Sequence, residues 1–410
     1  MPRNSMLSHL TSEIKATGPI SVGYYVQNDM LGPDGDFITM PEISQLFGEL
    51  LGIWCLSEWM GAGKPSHFQL VEFGPGRGSL ANDILSIQLR GALGGAAVSV
   101  HLVEVSSKLS QALTRDQSQG WARKDEPVYR QGTTTTGLPI SWYRNLDDVP
   151  RGTIYLAHEF FDALPIHKFQ RTKGWREVMV DIDLDEPGKL RFVIVPAPTL
   201  ASPQLIQAGE VRRLVEVCLE GGVIVQQLAN RIAEDGGAAL IADYGHGGTK
   251  TDTFRGFKDH KLHDVLASPG SADLTADVDF SCLIKMAGAT VVCMGPVSQR
   301  DFLKNMGIDT SLQVLLRKCA DPSIKAELIQ GYPEILSSPR GEGGVRRWPR
   351  FPRRPQHPCL WLASVSLASR EKRSQRPTMG SNRDCTAEAV NVNLPVKALK
   401  IRTHEFSTIP

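Results

Sequence analysis

Residues 68–85, FQLVEFGPGRGSLANDIL, constrain the fold more than any other stretch of the chain. A short apolar run reaches the carboxylate Glu72, and the glycines Gly74, Gly76 and Gly78 follow at alternate positions. A helical segment then begins at Ser79. The apolar run reads as a buried parallel strand bounded by a turn signal. Glycines let the backbone turn sharply and approach a ligand with no Cβ in the way. A helix that starts immediately afterwards aims its free N–H groups and positive dipole end at the same spot. Together these parts predict a cradle for a nucleotide-type cofactor.

The spacing narrows the cofactor. A dinucleotide fingerprint runs G-x-G-x-x-G, whereas these glycines run G-x-G-x-G with Glu72 two residues ahead of them. A carboxylate at that place accepts from an ammonium group, and the arrangement resembles motif I of class I S-adenosylmethionine (SAM) methyltransferases. The next β-branched run, VSVHLVEVS, carries Glu104 near its end. An acid at that strand tip is placed for the ribose hydroxyls of an adenosine cofactor. The glycine spacing disfavours a nicotinamide oxidoreductase.

Downstream, strands and helices alternate as in an α/β domain. PEISQLFGELLGIWCLSEWMGAG has the apolar spacing of a helix, as does SSKLSQALTRDQ. Residues 154–157 and GGAALIADYGH read as buried strands, WREVMVDID and LRFVIV as a β-hairpin. The segment GEVRRLVEVCLEGGVIVQQLANRIAEDG reads as helix interrupted at Gly221–Gly222. Ligands in such sheets sit outside the carboxyl ends of the strands. Glu72 with its glycines, HEFFDALP (158–165) and Asp243-Tyr244-Gly245-His246 therefore converge on one crevice. Glu159 and Asp162 suit a cationic acceptor such as a guanidinium, which pairs bidentately with carboxylates. Either acid is placed to take the proton of an attacking nitrogen, so both are read as catalytic. Phe160 is read as a stacking face. Asp243, Tyr244 and His246 are read as substrate-binding. The histidines His246, His260 and His263 lack a fixed ligand spacing, so no metal site is expected.

Composition sets the outer limits. The chain has 410 residues, 41% apolar and 22% charged. Its seven cysteines form no C-x-x-C pair, which favours a reducing compartment. No apolar run is long enough for a membrane span. The net charge of +1 hides an asymmetry: residues 333–410 carry 14 Lys and Arg against 6 Asp and Glu, leaving 31 against 38 in residues 1–332. That basic, Pro/Arg-rich tail is expected to be disordered: SSPRGEGGVRRWPRFPRRPQHP has no helix or strand period, and the apolar patch CLWLASVSLA (359–368) is an isolated strand at best. It lacks the interleaved aromatics of a nucleic-acid groove. The N-terminus shows no transit-peptide pattern.

Read together, GDFITMPEISQLFGELLGIW (35–54), LVEFGPGRGSL, HLVEVS, HEFFDALP, ADYGH and TFRGFKDH with DLTADVDF resemble the MidA family over roughly residues 6–332. The similarity is greatest to its mitochondrial members that support assembly of respiratory complex I. The resemblance implies a class I, Rossmann-like methyltransferase core over 61–332 with additional substrate-covering elements. It implies a helical, cofactor-covering region at 1–60. Its implied activity is SAM-dependent symmetric dimethylation of arginine in the mitochondrial matrix. The implied substrate is a core complex I subunit, the NADH dehydrogenase iron–sulfur protein 2. A second reading is a binding chaperone for that subunit without turnover. Two departures from the family stand out: Val22 runs straight into GYYV, and the tail replaces the segment that supplies a late sheet strand. The second predicts an open sheet edge.

Overall fold

The computed structural model describes residues 3–29, 45–76, 78–86, 92–104, 128–134, 137–152, 154–201, 205–206, 208–258, 261–336 and 360–366. The chain begins with α1 (Arg3–Thr17), β1 (Ile20–Ser21), α2 (Val22–Asp29) and α3 (Gln45–Gly61). It continues through β2 (His67–Phe73), α4 (Ser79–Ser86), β3 (Ala97–Val103), β4 (Val128–Thr133), β5 (Pro139–Tyr143) and β6 (Ile154–His158). Next come β7 (His167–Arg171), β8 (Trp175–Ile182), β9 (Leu190–Ile194), β10 (Leu214–Val217), α5 (Leu219–Asp235) and β11 (Ala238–His246). The last third holds β12 (Arg255–Lys258), β13 (Lys261–His263), β14 (Asp273–Thr275), β15 (Val278–Asp279), α6 (Phe280–Ala287) and β16 (Val292–Met294). The helices α7 (Gln299–Asn305), α8 (Ile308–Lys318) and α9 (Pro322–Leu336) precede β17 (Leu360–Ser366).

The main sheet has the order β16-β17-β11-β6-β2-β3-β5-β4. The strands β11, β6, β2, β3 and β5 pair in parallel, each with its neighbour. Parallel strands buried on both faces need continuous apolar runs, which β2 and β11 supply. Phe68 and Leu70 of β2 pack with Leu46, Phe47, Leu50 and Trp54 of α3 on one face. Val71 and Phe73 meet the other face, with Val225 and Leu228 of α5 and Leu283 of α6. Because side chains alternate along a strand, Glu72 falls on the α3 face. The chain leaves β2 toward β3 on one side and returns to β6 on the other. This reversal is a topological switch point, and it opens a crevice at the carboxyl ends of β2 and β6.

Two expectations are corrected. The strand β17 lies in the basic tail, within the patch expected to be an isolated strand at best, and it fills the sheet between β11 and β16, antiparallel to both. The edge expected to stand open is thus paired, with β17 matched to β11 from Ala238↔Ser366 to Tyr244↔Leu360. The rest of the tail beyond residue 336 lies outside the described residues, as does the helix expected over SSKLSQALTRDQ. Second, Gly221 and Gly222 do not interrupt a helix; they form its first turn, and β10 precedes it. A Cβ on Gly221 would lie 3.0 Å from Phe161, and one on Gly222 3.0 Å from Met286, so the glycines serve close packing. The N-terminal elements divide between two sheets. Leu10, Ile14, Val22 and Tyr25 pack with Val180 and Leu190 of a smaller sheet, β1-β8-β7-β10 with β9 on β8. In contrast, α3 belongs to the main sheet. Residues 1–368 form one compact unit. Among the described residues no helix is long and apolar enough to cross a membrane.

Candidate active site

The loop after β2 is built from backbone that side chains disfavour. Gly74, Gly76 and Gly78 have φ of +59°, +54° and +79°, the left-handed region that glycine enters without strain. The Gly74 N–H donates to Val103 O at 3.0 Å and ties the loop to the end of β3. A Cβ on Gly76 would project into open space, so its bare backbone faces the crevice. A Cβ on Gly74 would instead lie 2.9 Å from Phe160 Cδ2, because the ring from the β6 loop rests on that glycine.

Glu72 is buried at the foot of this cradle. Its carboxylate accepts the Ala81 N–H in the first turn of α4, while Oε2 has no hydrogen-bond partner. Burial pushes the carboxyl up to about 8; nearby Glu104 and Asp83 add to the shift, and the Ala81 bond opposes it. Glu104 is buried one strand away, where its N–H donates to Tyr143 O at 2.9 Å. An orphaned buried carboxylate oxygen beside a bare glycine backbone fits the ammonium end of SAM, and Glu104 at the neighbouring strand tip fits its ribose.

The second wall follows β6. Glu159 has φ +48°, a left-handed conformation that costs a non-glycine residue about 1–3 kcal/mol and persists where surroundings over-determine it. Asp243 is what over-determines it. This fully buried side chain accepts N–H bonds at Oδ2 from Phe160 (3.1 Å), Phe161 (2.7 Å) and Asp162 (3.2 Å). Its Oδ1 accepts from Tyr244 N at 2.8 Å. Burial, with Asp162 and Glu159 adding to it, pushes the Asp243 carboxyl above the usual range, while N–H bonds from Tyr244 and Phe161 pull it down. The Glu159 N–H donates to Ala242 O, and the Tyr244 hydroxyl donates to Glu159 Oε1 at 3.3 Å. Asp162 Oδ2 accepts from Thr275 Oγ1 at 2.7 Å, and its carbonyl accepts from Ala276 N at 2.9 Å. The β6 loop is therefore pinned between β11 and β14.

The structure thus brings together Glu72, Gly74, Gly76, Gly78, Glu104, Glu159, Phe160, Asp162 and Tyr244. Phe160 sits between Phe73 and Phe161 (centroids 5.4 and 5.3 Å) and on Gly74, so it joins the two loops. Asp243 is not open to a substrate, because backbone N–H groups take both of its oxygens. Nor does His246 face the crevice. Its buried Nδ1 accepts from the N–H groups of Gly248 (3.0 Å) and Thr249 (3.2 Å), and burial lowers its pKa. It shapes the turn after β11. Thr275 and His158 escaped sequence reasoning. Thr275 lies in the quoted DLTADVDF, and His158 adjoins Glu159; nothing in their spacing reports the contact. Among the described residues no group of three or more His, Cys, Asp or Glu is arranged to hold a metal ion.

A family described as S-adenosyl-L-methionine-dependent methyltransferases matches residues 50–297, the span that carries both loops. The chain belongs to this family. Its members' methyl donor is the molecule that the glycine cradle and Glu72 fit. The chain is also 65% identical over 360 residues to the Danio rerio "Protein arginine methyltransferase NDUFAF7, mitochondrial", covering 83% of this chain and 85% of the relative. The Homo sapiens protein of the same name is 57% identical over 363 residues, with 83% and 82% covered. Among solved structures, a superfamily member from Burkholderia thailandensis bound to S-adenosyl-homocysteine has the same fold, with a TM-score of 0.66 at 22% identity. That alignment covers 89% of this chain and 92% of the other.

Proposed function

We propose that this methyltransferase is a mitochondrial protein arginine N-methyltransferase. Its proposed substrate is the NADH dehydrogenase iron–sulfur protein 2 of respiratory complex I, which it dimethylates symmetrically in support of complex assembly. The observation that carries the reading is the junction of the two loops: Phe160 on Gly74 sets Glu159 and Asp162 beside the cradle whose Glu72 oxygen lacks a partner. The names of the relatives and the MidA resemblance support arginine as acceptor and mitochondria as the place.

SAM, when bound, supplies a methyl group already activated on a sulfonium. What the protein adds is proximity and orientation. Glu72 holds the ammonium end, Glu104 the ribose, and the bare backbone at Gly76 allows close approach. Glu159 and Asp162 hold the acceptor guanidinium, and Glu159 takes the proton that its nitrogen loses as the new N–C bond forms and the methyl's bond to sulfur breaks, its electron pair left on a neutral thioether. Tyr244 orients Glu159, and Asp243 fixes the loop that carries both acids.

Incubation of the full chain with SAM and the iron–sulfur protein 2 subunit, followed by mass spectrometry, tests the reading. Symmetric dimethylarginine is expected, with Glu159→Gln slowing its formation roughly 100-fold or more. Tight binding of the subunit without methylation would instead support the chaperone reading.

A further inference from the structure

His158 ends β6 beside Glu159 and has no part in the function proposed above. Its side chain is buried, its ring packs on Phe47 of α3 with centroids 5.0 Å apart, and Nε2 has no hydrogen-bond partner. Burial pulls the imidazole down to about 3, so the ring is neutral in the working range, with one nitrogen protonated and the other bare. A buried polar atom left without a partner is costly, and each such atom in a folded protein calls for an explanation.

The explanation is next door. Glu159 Oε1 lies 4.0 Å from His158 Nε2, beyond hydrogen-bond reach, and receives the Tyr244 hydroxyl at 3.3 Å. A swing of about 1 Å by this carboxylate closes the gap. Phe47 packs on the imidazole with the two rings tilted by 54°. Tyr244 and Asp243 on β11 are titratable groups that act on Glu159, and Asp162 on the loop acts on Asp243.

We propose that His158, as its Nε2–H tautomer, is a positioning residue that receives the Glu159 carboxylate when an acceptor guanidinium engages it. A neutral N–H steadies the carboxylate as an anion without handing it a proton. Glu159 then remains able to accept the proton released by the acceptor nitrogen. This inference rests on the arginine methyl transfer proposed above and adds a residue to it.

Two variants of the full chain test it. Phenylalanine at 158 keeps the packing on Phe47 and removes the donor; glutamine restores an N–H at similar reach. His158→Phe is expected to lower kcat for arginine methylation roughly 10- to 100-fold, the usual cost of removing a supporting hydrogen bond behind a site residue. Affinity for S-adenosyl-homocysteine, measured by calorimetry, should be unchanged, and His158→Gln should recover most of the lost kcat. Equal impairment in both variants, or full activity in His158→Phe, would overturn the proposal. Nitrogen NMR of the ring, recorded with S-adenosyl-homocysteine and an arginine-containing peptide of the subunit added, reads the same claim without turnover. A proton on Nε2 whose signal shifts in Glu159→Gln supports it, and a bare Nε2 or an unmoved signal contradicts it. If the wild-type chain methylates no arginine, the proposed function fails, and the ring spectrum still decides the role of His158.

Discussion

Asp243→Ala is expected to abolish methyl transfer and to cost roughly 3–6 kcal/mol of stability, since several buried N–H groups lose their acceptor at about 1–3 kcal/mol each. The four groups are those of Phe160, Phe161, Asp162 and Tyr244, all served by this carboxylate. Without it, the N–H groups of Phe160, Phe161 and Asp162 that follow the left-handed turn at Glu159 lose their acceptor, and relaxation there releases strain while misplacing Oε1. Asp243→Asn is the milder change. Its amide oxygen can still serve the loop, but its NH2 group then faces the Tyr244 N–H, donor against donor, for a loss of about 1–3 kcal/mol. Urea denaturation measures both losses. Cofactor affinity should survive in Asp243→Asn, because Glu72 and Glu104 stand on other strands. A loss below about 1 kcal/mol in Asp243→Ala would contradict the clamp, since one orphaned buried N–H alone costs that much.

Glu72 ties cofactor binding to pH. Its carboxyl titrates at 4.5 in the ordinary case and at about 8 in the fold. Between these values the folded protein keeps a proton that the unfolded chain has released, so stability falls as pH rises through this window. Glu72→Gln removes that slope and should be the more stable protein at pH 9 in the absence of cofactor. Binding works the other way. The ammonium of the cofactor needs the ionised carboxylate, so affinity for S-adenosyl-homocysteine should rise by up to about tenfold per pH unit toward pH 8. It should level off above that, where the carboxyl is already ionised. Calorimetry across pH 6–9 should therefore trace a rise and a plateau in the wild type. Glu72→Gln should bind roughly 100-fold more weakly, the worth of a buried charged hydrogen bond, and lose the rising limb. A flat wild-type profile would contradict the pairing.

The sequence made some of this legible and concealed the rest for physical reasons. The cradle could be read because its parts are contiguous: strand, alternate glycines and helix start fall within residues 68–85, and local geometry dictates each. The helix α3 was equally open to reading, since its buried residues recur at helical spacing. The purpose of Asp243 was not. An acid at a strand end looks ready for a ligand, and only the fold shows its oxygens spent on N–H groups about 80 positions away in sequence. For β17 the difficulty was distance. An apolar stretch amid basic, proline-rich sequence acquires meaning only from β11, its partner more than 100 residues earlier. Gly221 and Gly222 misled in another way, because glycine in a helical pattern signals either a break or a close approach, and the neighbours that decide, Phe161 and Met286, are remote in sequence.

A crystal structure with S-adenosyl-homocysteine bound tests the account most directly. The ligand's amino group is expected within hydrogen-bond reach of Glu72 Oε2, its ribose hydroxyls at Glu104, and its amino-acid end along the backbone at Gly76 beside Phe160. A ligand seated elsewhere, or one that leaves Glu72 Oε2 still without a partner, would contradict it.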